Sequence, residues 1–292
     1  MEIKASMVKE LRDKTGAGMM DAKKALVESD GDMEKAVELL RQKGMASADK
    51  KMGRIAAEGT IASVIEGNKG AMIEVNCETD FVAKNEDFKE FAACLAKGVL
   101  EMNPTDVETF NSSVCPKCGK KIEDLVKEKI AKIGEKITIR RFVRYDAGCC
   151  VNTYIHNGKI GVLLEAKCPN GCDETLTKDI CLHIASNAPE FISRAEIPAS
   201  VIEEEKRIEM GKDDLAKKPE NIREKIVEGR VNKLMAAKCL LEQPFVKNPD
   251  LTIAQLIEGK CEIVKFERFV LGEGLEKRQD NFAEEVMSQI KG

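Results

Sequence analysis

At 292 residues, with 43% hydrophobic and 34% charged side chains, the chain is long enough for two or more folding units with packed interiors and solvated faces. Its net charge of -4, two Tyr and no Trp lack the basic footprint and stacking rings of a nucleic-acid binder. No run of about 18 apolar residues exists to span a membrane, and MEIKASMVKELRDKTG has no apolar signal core, so a cytoplasmic protein is expected, its eleven cysteines being thiols or metal ligands rather than a disulfide framework.

Residues 3–44 read as three short helices. The first spans about 4–13, with Met7, Val8 and Leu11 on one side, and TGAG (15–18) breaks it. The second starts near Met19. The third places Met33, Ala36, Val37 and Leu40 on one face after the turn at 30–32. Such a bundle buries little surface, which points to a docking module at 1–50. KGMASADKKMGR (43–54) reads as a basic linker.

The pattern then changes to strands. Two β-rich runs flank EGNKG (66–70), a hairpin signal. A helix follows with Phe88, Phe91, Ala92, Leu95 and Val99 on one stripe, and KITIRRFVRY (136–145) is a third strand. The same grammar recurs about 90 residues later. IHNGKIGVLLEA repeats IEGNKGAMIEV, a helix lies at 176–186, and CEIVKFERFVLGEG matches KITIRRFVRYDAG. The expected fold is α+β, with repeats at 51–145 and 146–275, each a small antiparallel sheet faced by helices. Residues 200–243 are helical in composition and form an inserted hairpin, either a solvated arm or a contact surface for a partner or a homodimer. An amphipathic helix is expected at 276–292, with Phe282, Val286 and Ile290 inward.

NCETDFVAKN (76–85) sits where a polar surface turn is expected, yet carries Phe81 and Val82 beside Asp80. With KELRDKTGAGMMDAKKAL (9–26) this motif resembles the signatures of the translation elongation factor Ts family. KIGEKITIRRF, HNGKIGVL, PEFI, VEGR, QPFV and FAEEV extend the resemblance, in order, over nearly the whole chain. The resemblance implies an N-terminal bundle like ubiquitin-associated domains, a duplicated core, an inserted hairpin and a C-terminal helix. It implies a guanine-nucleotide exchange factor for the GTPase elongation factor Tu, with Thr79, Asp80, Phe81 and Val82 entering beside the partner's Mg²⁺ and phosphate site. Val8, Leu11, Arg12, Thr15, Gly16, Met19 and Met20 match the family's N-terminal contact surface, and Ile133, Gly134 and His156 match further contacts. Residue by residue, Leu11 and Met20 also suit a bundle core, Gly16 a helix stop, Gly134 a helix C-cap, and His156 a solvated turn. Phe81 taken alone suits a core position against Phe88.

No phosphate loop of the GxxxxGK[ST] type and no nucleophile elbow occurs, so neither direct nucleotide binding nor covalent chemistry is expected, and no cofactor. CPKCG (115–119) and CPNGC (168–172) depart from the family pattern. Cys115, Cys118, Cys168 and Cys172 could complete a structural zinc tetrahedron, or be free thiols. Cys149 and Cys150 read as packing. The alternative function is a zinc-stabilised adaptor binding RNA or ubiquitin-like partners, against which the acidic balance and missing rings count.

Overall fold

The computed structural model describes residues 3–146, 150–215 and 219–276. The helix expected at 276–292 therefore lies outside the described residues, apart from Glu276, as does Cys149. The fold is α+β with small antiparallel sheets. It divides into two compact units, one running to Val64 and including Ala71–Arg144 and the chain from Phe269, the other formed by Ile65–Gly70 and Tyr145–Arg268. No helix among the described residues is long and apolar enough to cross a membrane.

In the first unit, α1 (Ala5–Thr15), α2 (Met19–Glu28) and α3 (Met33–Lys51) enclose Val8, Leu11, Ala22, Ala25, Leu26 and Ala36. Asp32 caps α3, its carboxylate accepting from the Glu34 and Lys35 amides, which satisfies donors the helix start would otherwise leave unpaired. Strands β1 (Glu58–Glu66) and β2 (Lys69–Cys77) form the expected hairpin. They lead into α4 (Asp80–Lys84), α5 (Glu86–Met102), α6 (Val107–Ser112), α7 (Ile122–Ile133) and β3 (Thr138–Asp146), which joins the sheet in the order β1-β2-β3. Phe88, Ala92, Leu95 and Val99 of α5 are buried, as the i, i+3/i+4 stripe requires.

The stretch 43–54 is not a linker. Its Lys, Met, Ala and Gln-flanked composition favours helix, and α3 continues through it to Lys51 because α7 supplies a packing surface. Ala48 joins the core of the first repeat, and Arg41–Glu128 and Lys127–Asp49 pair across the two helices at 3.1 and 3.0 Å. Gly44 makes this crossing possible: a Cβ there would stand 2.7 Å from the Cβ of Ala131. Gly44→Val should lower stability by about 2 kcal/mol through overpacking. The check is a fall in the urea midpoint with an unchanged slope.

In the second unit, β4 (Cys150–His156) pairs antiparallel with β5 (Ile160–Lys167) in a register running from Cys150↔Ala166 to His156↔Ile160, joined by the Asn157-Gly158 turn. After α8 (Glu174–Asn187) come α9 (Ala199–Met210) and α10 (Glu220–Lys238), a helical hairpin with its own core of Val227, Val231, Met235 and Leu215. On α10, Val227 is buried while Ile222 is exposed. A ribbon of β6 (Pro244–Phe245) and β7 (Asn248–Thr252), then α11 (Ile253–Ile257), precede β8 (Glu262–Val270), and the sheet order is β4-β5-β8. Both three-stranded sheets thus take a hairpin first and add the strand that follows the helices beside the hairpin's second strand.

Candidate functional site

The TDFV segment is not an open turn. Thr79 caps the single turn of α4, its hydroxyl accepting from the Val82 amide at 3.4 Å. The same hydroxyl donates to Glu135 Oε1 at 2.6 Å, while Glu135 Oε2 accepts from the Glu78 and Thr79 amides at 3.1 and 3.0 Å. In return the Glu78 carboxylate accepts from the Lys136 amide at 2.6 Å and pairs with Arg54 at 3.2 Å. Two carboxylates therefore cross-brace the chain at 78–79 and 135–136. Hydrogen bonds to a charged acceptor are the stronger kind, so the base of α4 is held firmly.

Gly134 aims this brace. It caps α7 in the left-handed region at φ 90°, with its amide donating to Ile130 O at 2.8 Å, a conformation cheap only for glycine. Ile133, half-buried, packs on the core of the first repeat. Val82 and Ala83 seat α4 on the same core, and Phe81 faces the other way, 82% exposed. It does not fold down onto Phe88, which is wholly buried. Asp80 accepts from Lys84 Nζ at 2.6 Å, a bond that raises the Lys84 pKa. Beneath the tip, burial, with the Glu135 charge adding to it, pushes the Cys77 thiol up to about 12, so it stays neutral and donates to Thr79 O at 3.2 Å.

On the bundle, Arg12 and Gly16 are exposed, Met19 and Met20 are 50% and 65% exposed, and Thr15 is half-buried with its hydroxyl donating to Leu11 O. Val8 and Leu11 differ from the expected contact surface. Both lie inside the bundle at 5% and 0% exposure, because they form the one apolar face that α1 can turn toward α2 and α3. Any part they take in docking is through the shape of that core. In the second unit His156 is exposed at the hairpin tip, stacked on Tyr154, whose hydroxyl lies 3.1 Å from Nδ1. The other histidine, His183, is buried between Gln243 Oε1 at 2.9 Å and the Val246 amide at 3.2 Å. Burial holds its pKa below the usual value, as suits a neutral structural ring.

The four cysteines considered for zinc fall two in each unit. Cys115 and Cys118 belong to the first unit. There the Cys115 pKa is lowered: desolvation opposes this, and the Lys117 and Cys118 amides and the Cys118 thiol outweigh it. Cys168 and Cys172 belong to the second unit and cluster with Cys150. Cys150 is buried, as a packing residue is, and is joined to Cys172 as a disulfide, against the expectation of thiols or metal ligands. The reason is register: Cys150 lies opposite Ala166, two residues before Cys168, where the chain leaves β5 and turns back.

Glu78 and Glu135 were missed by sequence reasoning. The signal available was position, since Glu135 follows Ile133-Gly134 directly and Glu78 precedes Thr79.

Comparison with known proteins bears on the whole chain. The family model described as Elongation factor TS matches residues 78–273. A protein of Alkalilimnicola ehrlichii named Elongation factor Ts is 48% identical over 296 residues, covering all of both chains. Another of that name, from Thioalkalivibrio sulfidiphilus, is 46% identical over 297 residues with the same coverage.

Proposed function

Because the chain belongs to the elongation factor Ts family and is a translation elongation factor, we propose that it is the exchange factor for the GTPase elongation factor Tu, loosening GDP with the Phe81 tip. The observation that carries this reading is a large aromatic ring, 82% exposed, on a helix turn braced through Glu135. An apolar ring left in water on a rigid support gains only when a partner buries it.

Bound GDP is held through its phosphates and Mg²⁺, and Mg²⁺ demands near-ideal octahedral oxygen geometry. A ring wedged beside that site displaces the elements that orient the oxygens. Burying one large apolar side chain is worth about 1.5–3 kcal/mol. With its neighbours the tip supplies about 4 kcal/mol, which is about a thousandfold in release if gained only in the nucleotide-free complex. Coupling is reciprocal, so rebinding of nucleotide expels the factor. No covalent step is involved, and the site of action is the cytoplasm. Arg12, Thr15, Gly16, Met19 and Met20 dock the bundle, the adaptable Met side chains suiting a binding face, and Ile133, Gly134 and His156 add contacts.

Stopped-flow release of a fluorescent GDP analogue from elongation factor Tu tests the reading. Acceleration that rises and saturates with this protein supports it, and an unchanged rate sinks it. The brace has its own consequence. Glu135→Ala removes three hydrogen bonds and frees the tip, so stimulated release should fall about tenfold, while stability falls by only about 1–2 kcal/mol. Paired exchange kinetics and thermal melts of that variant read both effects.

A further inference from the structure

Four cysteines meet at one end of the β4-β5-β8 sheet. Cys150 opens β4, Cys168 follows the last residue of β5, Cys172 precedes the Asp173 cap of α8, and Cys261 immediately precedes β8. The sulfurs of Cys150, Cys168 and Cys172 lie within 4.8 Å of one another. The Cys261 side chain neighbours Cys168, and both border the same apolar core. Between Cys168 and Cys172 the chain makes a tight reversal, the Gly171 amide donating to Cys168 O at 3.1 Å.

We propose that the reduced chain holds one zinc ion on Cys150, Cys168, Cys172 and Cys261. This site shares only two residues with the set considered from sequence, and it rests on no feature of the exchange reading. A tetrahedral zinc about 2.3 Å from each sulfur sets neighbouring sulfurs about 3.8 Å apart, inside the 4.8 Å within which Cys150, Cys168 and Cys172 lie, and Cys261 completes the set from beside Cys168. Soft thiolates with no histidine or carboxylate among them suit zinc, and four protein ligands leave no open position, so the ion is structural. It ties the ends of three strands and the start of α8, holding together segments as far apart in sequence as Cys150 and Cys261. In the structure Cys150 and Cys172 are bonded to each other. Loading therefore begins with reduction: a dithiol or phosphine reductant gives two electrons, the disulfide takes up two protons, and two thiols form. Zinc then displaces one proton from each of the four thiols.

The test uses the full chain, purified without chelator and kept anaerobic with a phosphine reductant, and reads zinc by elemental analysis. About one equivalent per chain is expected. Cys172→Ser and Cys261→Ser should each lose most of it, while Cys94→Ser, Cys149→Ser and the Cys115→Ser/Cys118→Ser double variant keep it. Since a ligand variant can fail by misfolding, cobalt loading of the unaltered reduced chain gives a second readout. Sulfur-to-cobalt charge transfer with tetrahedral visible bands supports the site. Less than about a tenth of an equivalent of zinc in the reduced chain, iron in its place, no cobalt–thiolate spectrum, or zinc lost with Cys115 and Cys118 but kept without Cys172 and Cys261, each overturns it.

Discussion

Phe81→Ala should cut stimulated GDP release from elongation factor Tu by about 10- to 100-fold, the loss that follows from about 1.5–3 kcal/mol of side-chain burial made only in the complex. Stability should not move. The ring is 82% exposed, so its removal leaves no cavity and strips almost no native contact, and Thr79, Glu135 and Glu78 still hold α4. That separation makes the variant informative, because a loss of exchange cannot be assigned to unfolding. Phe81→Leu should fall between, since an aliphatic side chain keeps part of the buried area but not the flat ring. The measurement is the single-turnover release rate at saturating factor, beside the melting temperature. If the alanine variant accelerates release as well as the parent, the wedge is wrong, and the bundle face at Met19 and Met20 becomes the place to look.

What could be read from the residues was whatever depends on near neighbours. The α5 stripe, the two hairpins and the three N-terminal helices each follow from spacing within about 15 residues. The end of α3 did not, because Gly44 reads as a breaker until Ala131 is known to lie against it, 87 positions away. The site divided in the same manner. Phe81 was legible as an anomaly, an aromatic where a turn should be polar. Its brace was not, since Glu135 acts 56 positions from Thr79. Cysteine spacing raised a metal set but did not bring Cys150 or Cys261 into it, because these reach Cys168 through strand order and not through any local motif. The failures therefore mark where chain-distant contacts decide.

The largest loss of stability should come from Glu74→Ala, about 3 kcal/mol. Strand alternation makes Glu74 look like a solvent-facing residue of β2, yet its side chain is wholly buried, along with nearly all of that strand. Arg140 and Arg141 of β3 pair with its two oxygens at 2.9 and 2.7 Å, and the Gly272 amide donates to it at 2.9 Å. Arg141 also lies over the Phe269 ring, 4.2 Å from its centre, and donates to Val270 O. One carboxylate thus fastens β2, β3 and the chain after β8. Removing it leaves two guanidinium groups and an amide facing each other, and because both arginines keep 23–29% of their side chains in water, the cost falls at the low end for a broken buried pair. Glu74→Gln should cost less, as it retains hydrogen-bonding capacity without charge. Burial alone would raise the pKa of Glu74, but the Gly272 amide, Arg140 and Arg141 outweigh it, and the net shift is downward. A carboxyl with a depressed folded pKa adds stability in full above its unfolded value of about 4.3, and that contribution is lost as pH falls through the folded value. Acid titration of the parent should therefore show a steeper loss of stability below about pH 4 than the alanine variant shows. Chemical denaturation at a series of pH values measures the difference, and two parallel curves would mean that Glu74 is not held ionised by its partners.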